Sequence, residues 1–248
     1  MSCAHAELAS SKLKTAGANY LSHSLNEQAG LIALASPTGV SVLRCGQPSG
    51  LPQKEVTHVE TSSAKGVISA LALCPVAPEL LATALSTEQV VRLWNLPSVD
   101  GAPTAATAVT LDIGRGACRQ LVWHPMRRVL AVVTPTCVVL FDCSKHAAQA
   151  SAPTPIFLEL PEGHRSSLRG ACWGGDASGG TLAAASESEL FVFRWAVPGA
   201  WARSALVRLP FSGRQAGAIA PCGDALLVSL SRPITLGGRC ARSLARAM

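Results

Sequence analysis

Apolar positions along the chain fall in short runs separated by polar turns, not in a helical stripe. In "VVRLWNL" (90–96), side chains alternate with period two, so Val91 and Leu93 share one face and Arg92 lies on the other. Three longer segments repeat one design: "VISALALCPVAPELLATALSTEQVVRLWNL" (67–96), "ACRQLVWHPMRRVLAVVTPTCVVLFDC" (117–143) and "SLRGACWGGDASGGTLAAASESELFVFRW" (167–195). Each reads as an apolar strand, a turn with Pro or Gly, a strand of small apolar residues, a polar turn, and a strand closing on an aromatic. The pattern predicts three antiparallel strands per unit, with a fourth following a connector in "AVTLDI" and "IFLELP".

Two sets of anchors fix the alignment. Leu73, Trp123 and Trp173 end the first strand of their units at intervals of 50 residues, and Trp94, Phe141 and Phe193 close the third strand at intervals of 47 and 52. Fainter copies flank these units. "GLIALASPTGVSVLRCG" (30–46) supplies the last two strands of an earlier unit with Leu43 at the aromatic position, and "AGAIAPCGDALLVSLSRPITL" (216–236) supplies the start of a later one. Connectors such as "LPSVDGAPTAATA" and "AAQASAPTP" read as loops. The organisation expected is an N-terminal segment over 1–24, repeats over 25–236 and a basic tail over 237–248. Repeats of about 40–50 residues, each burying one face on the next, signal an all-β propeller. Three clear blades and two partial ones predict a propeller that is small, open or part of a longer product, with sheet edges exposed.

"VVRLWNL", "VVLFDC" and the pair Gly163-His164, 30 residues before Phe193, resemble the Trp-Asp and Gly-His signatures of the WD-repeat β-propeller family. Asn95 and Asp142 approximate the Asp after the aromatic, and one unit has the Gly-His pair. Within that family, "SKLKTAGANYLSHSL", "LLATALSTEQVVRLWNL", "LVWHPMRRVLAVVTPTCVVLF", "RGACWGGD" and "AIAPCGDALLVSLSRPITL" resemble the N-terminal part of the WD-repeat and coiled-coil-containing proteins. Aladin-type nuclear-pore propellers, which carry "WHP" and "CW-x-x-D" repeats, are the rival resemblance. The first resemblance implies self-association and binding of Src-family kinases through SH3 domains. The coiled coil and proline-rich region that carry those properties have no counterpart in these 248 residues.

Composition narrows the classes. A hydrophobic content of 48% with 15% charged residues suits a packed core and excludes a disordered chain. No run reaches the roughly 20 apolar residues of a membrane span, and the first thirty residues contain no signal-like apolar stretch. A cytoplasmic location is expected, with the nuclear envelope as the alternative that the second resemblance implies. The nine cysteines are scattered without C-x-x-C pairs, which argues for reduced, buried thiols. The net charge of +6 resides in the last 48 residues, where seven arginines face Asp224 alone (7 − 1 = +6). Aromatic interleaving is absent there, so a solvated basic end is favoured over nucleic-acid binding.

Several constellations invite chemistry. Cys137, Cys143, His124 and His146 contain zinc-ligand residue types, but the repeat places them on differently directed loops, whereas zinc requires four converging ligands. "GGDASGG" (174–180) resembles a nucleophile loop around Ser178, yet it falls at a hairpin turn with no base fixed by spacing. "GRGACR" (114–119) lacks the last glycine of a dinucleotide loop and precedes a strand. Pro75-x-x-Pro78 has the minimal SH3-ligand spacing but occupies a turn. Of the five tryptophans, Trp94, Trp123 and Trp173 hold repeat positions; Trp201, expected in an inter-blade loop, is the candidate partner contact. The sequence therefore reads as a non-catalytic protein-interaction scaffold, with no catalytic residue, metal or cofactor assigned. A nuclear-pore-type subunit is the alternative binding module, and a Ser178 hydrolase or Cys137 thiol enzyme the alternative from another class.

Overall fold

Alternating strands and short turns build one four-stranded antiparallel sheet after another along the chain. The computed structural model describes residues 22–36, 39–45, 52–60, 66–97, 107–114, 116–144, 152–158, 160–161, 164, 166–174, 180–197, 200–208, 216–222, 225–230, 234–236 and 239–241, with no helix among them. The first sheet runs β1 (Ser22–Asn26), β2 (Leu31–Ala35), β3 (Gly39–Cys45) and β4 (Pro52–Glu60). The second runs β5 (Ile68–Leu73), β6 (Leu80–Leu85), β7 (Val90–Asn95) and β8 (Thr107–Asp112). The third has β9 (Gln120–Trp123), β10 (Val129–Val133), β11 (Val138–Asp142) and β12 (Pro155–Leu158), and the fourth β13 (Gly170–Trp173), β14 (Thr181–Ala185), β15 (Glu189–Val197) and β16 (Ala200–Arg208). Hairpins β17 (Ala216–Cys222) with β18 (Ala225–Leu230), and β19 (Ile234–Leu236) with β20 (Arg239–Ala241), follow.

Residues 30–46, expected to give two strands of an incomplete unit, are instead the middle of a complete sheet. Its outer members, "SHSLN" and "PQKEVTHVE", have too little apolar alternation to stand out, because polar residues dominate both. The described residues thus hold four complete sheets and two two-stranded hairpins, where the sequence suggested three clear units and two partial ones.

Each complete sheet has two unlike apolar faces. From the second sheet onward, one face carries the bulky anchors and packs on the preceding sheet: Trp123, Leu130 and Phe141 share a core with Ala82, Ala84 and Leu93 of the second sheet. Trp173, Leu182, Phe191 and Phe193 pack in the same way on Ala131, Val133 and Leu140 of the third. The opposite face is kept low by an alanine at the centre of every second strand, Ala33, Ala82, Ala131 and Ala183, each with 0% exposure. A small residue there leaves room for the ring that arrives from the next sheet, and close packing of this kind tolerates little added volume.

Polar bonds tie the same interfaces together across about one repeat of sequence. The Trp123 indole Nε1 donates to the Ala72 carbonyl on β5 at 2.9 Å, and the Trp173 indole repeats this to the Val122 carbonyl on β9 at 3.1 Å. Leu73, at the equivalent place in the second sheet, has no indole. There the first sheet supplies the bonds: Ser24 Oγ accepts from the Leu73 amide at 3.0 Å and Asn26 Nδ2 donates to the Cys74 carbonyl at 2.7 Å. The Ala171 amide donates to Gln120 Oε1 at 2.8 Å, joining the third and fourth sheets beside the Trp173 hook.

Ala131→Leu is expected to destabilise the chain by about 1–3 kcal/mol, because the third-sheet floor cannot yield to the Trp173 and Phe191 rings. Urea unfolding followed by tryptophan fluorescence measures it, and an exposed-site control such as Thr110→Leu on β8 should change the midpoint little.

Candidate functional site

The sheets leave their turns at two rims, and most of the sequence candidates lie there. At one rim are the turns joining first to second strands. Asn26 reaches across to the Cys74 and Pro75 carbonyls, Arg128 pairs with Glu79 at 3.1 Å, and the His124 ring lies 4.7 Å from the Trp173 ring, tilted by 57°. Neighbouring turns are therefore linked in series, although a half-exposed pair such as Arg128–Glu79 adds little stability on its own. Pro75 and Pro78 belong to this rim, in a turn closed by the Cys74 amide on the Leu80 carbonyl at 2.9 Å. Met126, 67% exposed, projects from the same rim.

At the other rim the second and third strands are joined by a hydroxyl-closed hairpin. Thr134 Oγ1 accepts from the Cys137 amide at 3.1 Å, Ser186 Oγ from the Glu189 amide at 3.1 Å, and Ser36 Oγ from the Gly39 amide at 3.2 Å. A side-chain oxygen that captures an amide three residues on holds the turn without glycine. Ser86 stands at the same repeat position, so the series "SPTGV", "STEQV", "TPTCV" and "SESEL" is a repeat signal that the anchor alignment passed over.

The thiol and imidazole candidates do not converge. Cys137 and Cys143 flank the five-residue β11, and at about 3.3 Å per residue the two lie roughly 20 Å apart along the strand. His124 is fully buried, and its Nδ1 accepts from the Met126 amide at 2.9 Å, which leaves the ring proton of the neutral form on Nε2. His146 lies outside the described residues, as do Gly163 and Ser178. Among the described residues no group of three or more His, Cys, Asp or Glu side chains is arranged to hold a metal ion. "GRGACR" forms the connection from β8 into strand β9, with Gly114 at φ 75° and Gly116 at φ 91°; a Cβ at Gly116 would stand 3.2 Å from Pro135 Cδ.

Burial dominates the thiols. It pushes Cys118 and Cys143 up to about 12 and Cys172 up to about 11, and it raises Cys74 as well. Nearby Cys74 and Asp142 push Cys143 further in the same direction. A thiol held protonated in this way is a poor nucleophile.

The tryptophan positions divide. Trp94 Nε1 donates to Thr83 Oγ1 at 2.8 Å inside the second sheet, while Trp123 and Trp173 are consumed by the inter-sheet hooks. At the positions equivalent to Trp94 and Thr83, the third sheet has Phe141 and Val132 and the fourth Phe193 and Ala184. The change is concerted for a physical reason: an indole needs an acceptor, whereas a phenyl ring leaves a buried hydroxyl unpaired. His164, of the Gly-His pair, bonds through Nδ1 to Glu189 Oε2 at 2.9 Å and meets Phe191 edge-on at 4.9 Å, with Nε2 buried and lacking a hydrogen-bond partner. Trp201 is not in a connecting loop. It is the second residue of β16, opposite Trp195 in the register, because β15 and β16 extend further than the aromatic-ended strand pattern suggested.

No protein-family model and no curated protein matches this chain. None of the helices that would cross a membrane, long and apolar over 18 residues, occurs among the described residues.

The buried thiols generate a pH prediction. The unfolded chain ionises its cysteines near about 8.5, while the folded chain keeps Cys118, Cys143 and Cys172 protonated to about 11–12. Their contribution to stability is therefore complete below about pH 8.5 and is lost progressively as pH rises above it. The urea midpoint should fall between pH 8 and pH 10, and iodoacetamide at pH 7.5 should alkylate these three cysteines only after unfolding.

Proposed function

We propose that the chain is a WD-repeat-like β-propeller that serves as a non-catalytic scaffold for other proteins. One observation carries this reading. First strands of successive sheets touch in order, β1 with β5, β5 with β9, β9 with β13 and β13 with β17, which is the order expected of sheets set around their first strands. Radial repetition of four-stranded meanders is how propellers are built. The repeat anchors Leu73, Trp94, Trp123, Phe141, Trp173 and Phe193 all lie on strands of this stack.

The resemblance to WD repeats is supported by two partial forms of the family's Trp, Ser/Thr, His, Asp tetrad. Trp94 with Thr83 supplies the indole half, and His164 with Glu189 the imidazole–carboxylate half, in different sheets. A rigid stack with its turns linked at two rims suits a binding role, because loops fixed by a scaffold present contacts at little ordering cost. Buried, protonated thiols and a His124 engaged in its own turn supply no activated nucleophile. Within this reading the partners are proteins in the cytoplasm, with self-association and SH3-containing kinases as the classes that the resemblance adds.

Two measurements on the purified chain test the proposal together. Cross-linking with cell extract should capture protein partners saturably, with slowed hydrogen exchange in rim turns such as 124–128 or 134–137. A fluorophosphonate and a chloroacetamide probe should label neither Ser178 nor Cys137 selectively. Selective labelling of either residue together with ester or peptide turnover would contradict the scaffold reading.

A further inference from the structure

Proteins keep a sheet edge from pairing with another chain by placing proline, charge, irregular register or very short strands there. Three of the four outer strands of the complete sheets carry such features. β4 begins at Pro52, carries Lys54, Glu55 and Glu60, and pairs with β3 through register shifts between Val42 and Leu43 and between Arg44 and Cys45. β12 has four residues and begins at Pro155. β16 carries Arg203 and Arg208 and meets β15 with breaks in register. β8, "TAVTLD", has none of these. It has six residues without proline, lysine or arginine, and its register with β7 is unbroken from Thr107 to Asp112. Its one charge, Asp112, stands at the last position, where the carboxylate accepts from the Gly114 amide at 2.8 Å.

The free edge of β8 can be assigned residue by residue. The Ile113 amide donates to the Gln89 carbonyl at 3.4 Å, so Ile113 turns its backbone groups toward the β7 side. Backbone direction alternates along an antiparallel pair. Leu111, Val109 and Thr107 therefore also face β7, while Ala108, Thr110 and Asp112 turn their N–H and C=O groups outward. β8 is last in its sheet order, so no strand of the sheet meets those groups. The side chains of Ala108, Thr110 and Asp112 are exposed, whereas Leu111 is buried and Val109 partly buried in the core shared with the third sheet.

From this placement we infer that β8 pairs with β8 of a second copy of the chain, antiparallel and about a two-fold axis at Thr110. A two-fold interface brings the same patch from both copies together, and an axis through an antiparallel ladder sets one residue opposite itself. With Thr110 at the axis, Ala108 faces Asp112 of the second copy and Val109 faces Leu111. No other centre pairs all three outward-turned residues within the strand. Thr with Thr is a favourable cross-strand pair, and no like charges stand opposite one another. The edge suits a second copy better than a charged segment of another protein: it has no cation to hold an acidic segment, and its one carboxylate is already engaged by Gly114. Such self-association uses a sheet edge, not the coiled coil that the family resemblance implies. It rests on the scaffold reading for its role and on the described sheet for its geometry.

Sedimentation velocity of the full chain from about 1 µM to about 1 mM, a span from moderate to weak association, tests the pairing. The chain should pass from monomer to dimer across that range. Thr110→Lys sets like charges opposite each other at the axis and should weaken the dimer about tenfold or more. Ala108→Lys sets its charge against Asp112 of the second copy and should leave the affinity unchanged or raise it. Thr110→Pro removes an outward donor that β7 does not use, so it should abolish the dimer while the melt of the dilute chain stays near that of the parent. Amide exchange supplies a second readout: Ala108, Thr110 and Asp112 should be protected in the dimer alone, and Val109 and Leu111 in both states. A chain monomeric throughout, a dimer untouched by Thr110→Lys, or outward amides that exchange freely in the dimer would overturn the inference. So would protection of those amides that arises only when another protein is added. Cross-linked capture from cell extract separates the two levels of the argument. A monomeric chain that still captures partners saturably refutes the β8 pairing and leaves the scaffold reading intact, whereas a β8 dimer that captures no other protein supports the pairing and refutes that reading.

Discussion

A sheet with two apolar faces is unstable until both are covered, and from the second sheet on the cover comes mainly from the sheets before and after it. The match is directional. Bulky residues on one face settle over the alanine-centred face of the preceding sheet, so the third sheet's Trp123 and Phe141 depend on Ala82 and Ala84, and the fourth sheet's Trp173 and Phe191 depend on Ala131. Because the third sheet packs on the second as the fourth packs on the third, each interface bears on the position of the next. The turns, rims and outer edges follow from that stacking.

Polar groups at the interfaces would be costly if they were left unpaired, and their bonding gives the stack its register. An indole N–H that crosses to a carbonyl on the neighbouring first strand sets the height of one sheet against the next, which apolar contact alone does not do. The first interface reaches the same result with Ser24 and Asn26 in place of a tryptophan. Different side chains thus perform one task at equivalent positions. Such divergence weakens a sequence signature without weakening the architecture.

That divergence also explains how far the sequence could be read. The central units were legible because Trp123, Trp173, Phe141 and Phe193 are large, rare and evenly spaced, and the strands they end are nearly wholly apolar. β1 and β4 were not, since strands such as "SHSLN" and "PQKEVTHVE" carry mixed residues at successive positions and no apolar alternation. The alanine at each second-strand centre was invisible for a different reason: one small residue in an apolar run gains meaning only when the ring that lands on it is known. Trp201 was misplaced because Pro198-Gly199 after "FRWAV" marked a loop, whereas β15 and β16 run up to that break from both sides. Among the described cysteines, Cys74, Cys118, Cys143 and Cys172 are buried as their apolar surroundings suggested, Cys137 is only partly so, and the separation of Cys137 from Cys143 follows from the strand between them.

The account stands or falls on whether the indole hooks are closed, buried bonds between sheets. Hydrogen exchange at the individual tryptophan indole N–H groups, followed by nitrogen-15 NMR on the intact chain, tests this directly. The account predicts that the Trp123 and Trp173 indole protons exchange only through global opening, with protection that falls in step with stability as urea is added. Exchange of both indoles at the rate of a free tryptophan, under conditions where the strands' own amides remain protected, would contradict it.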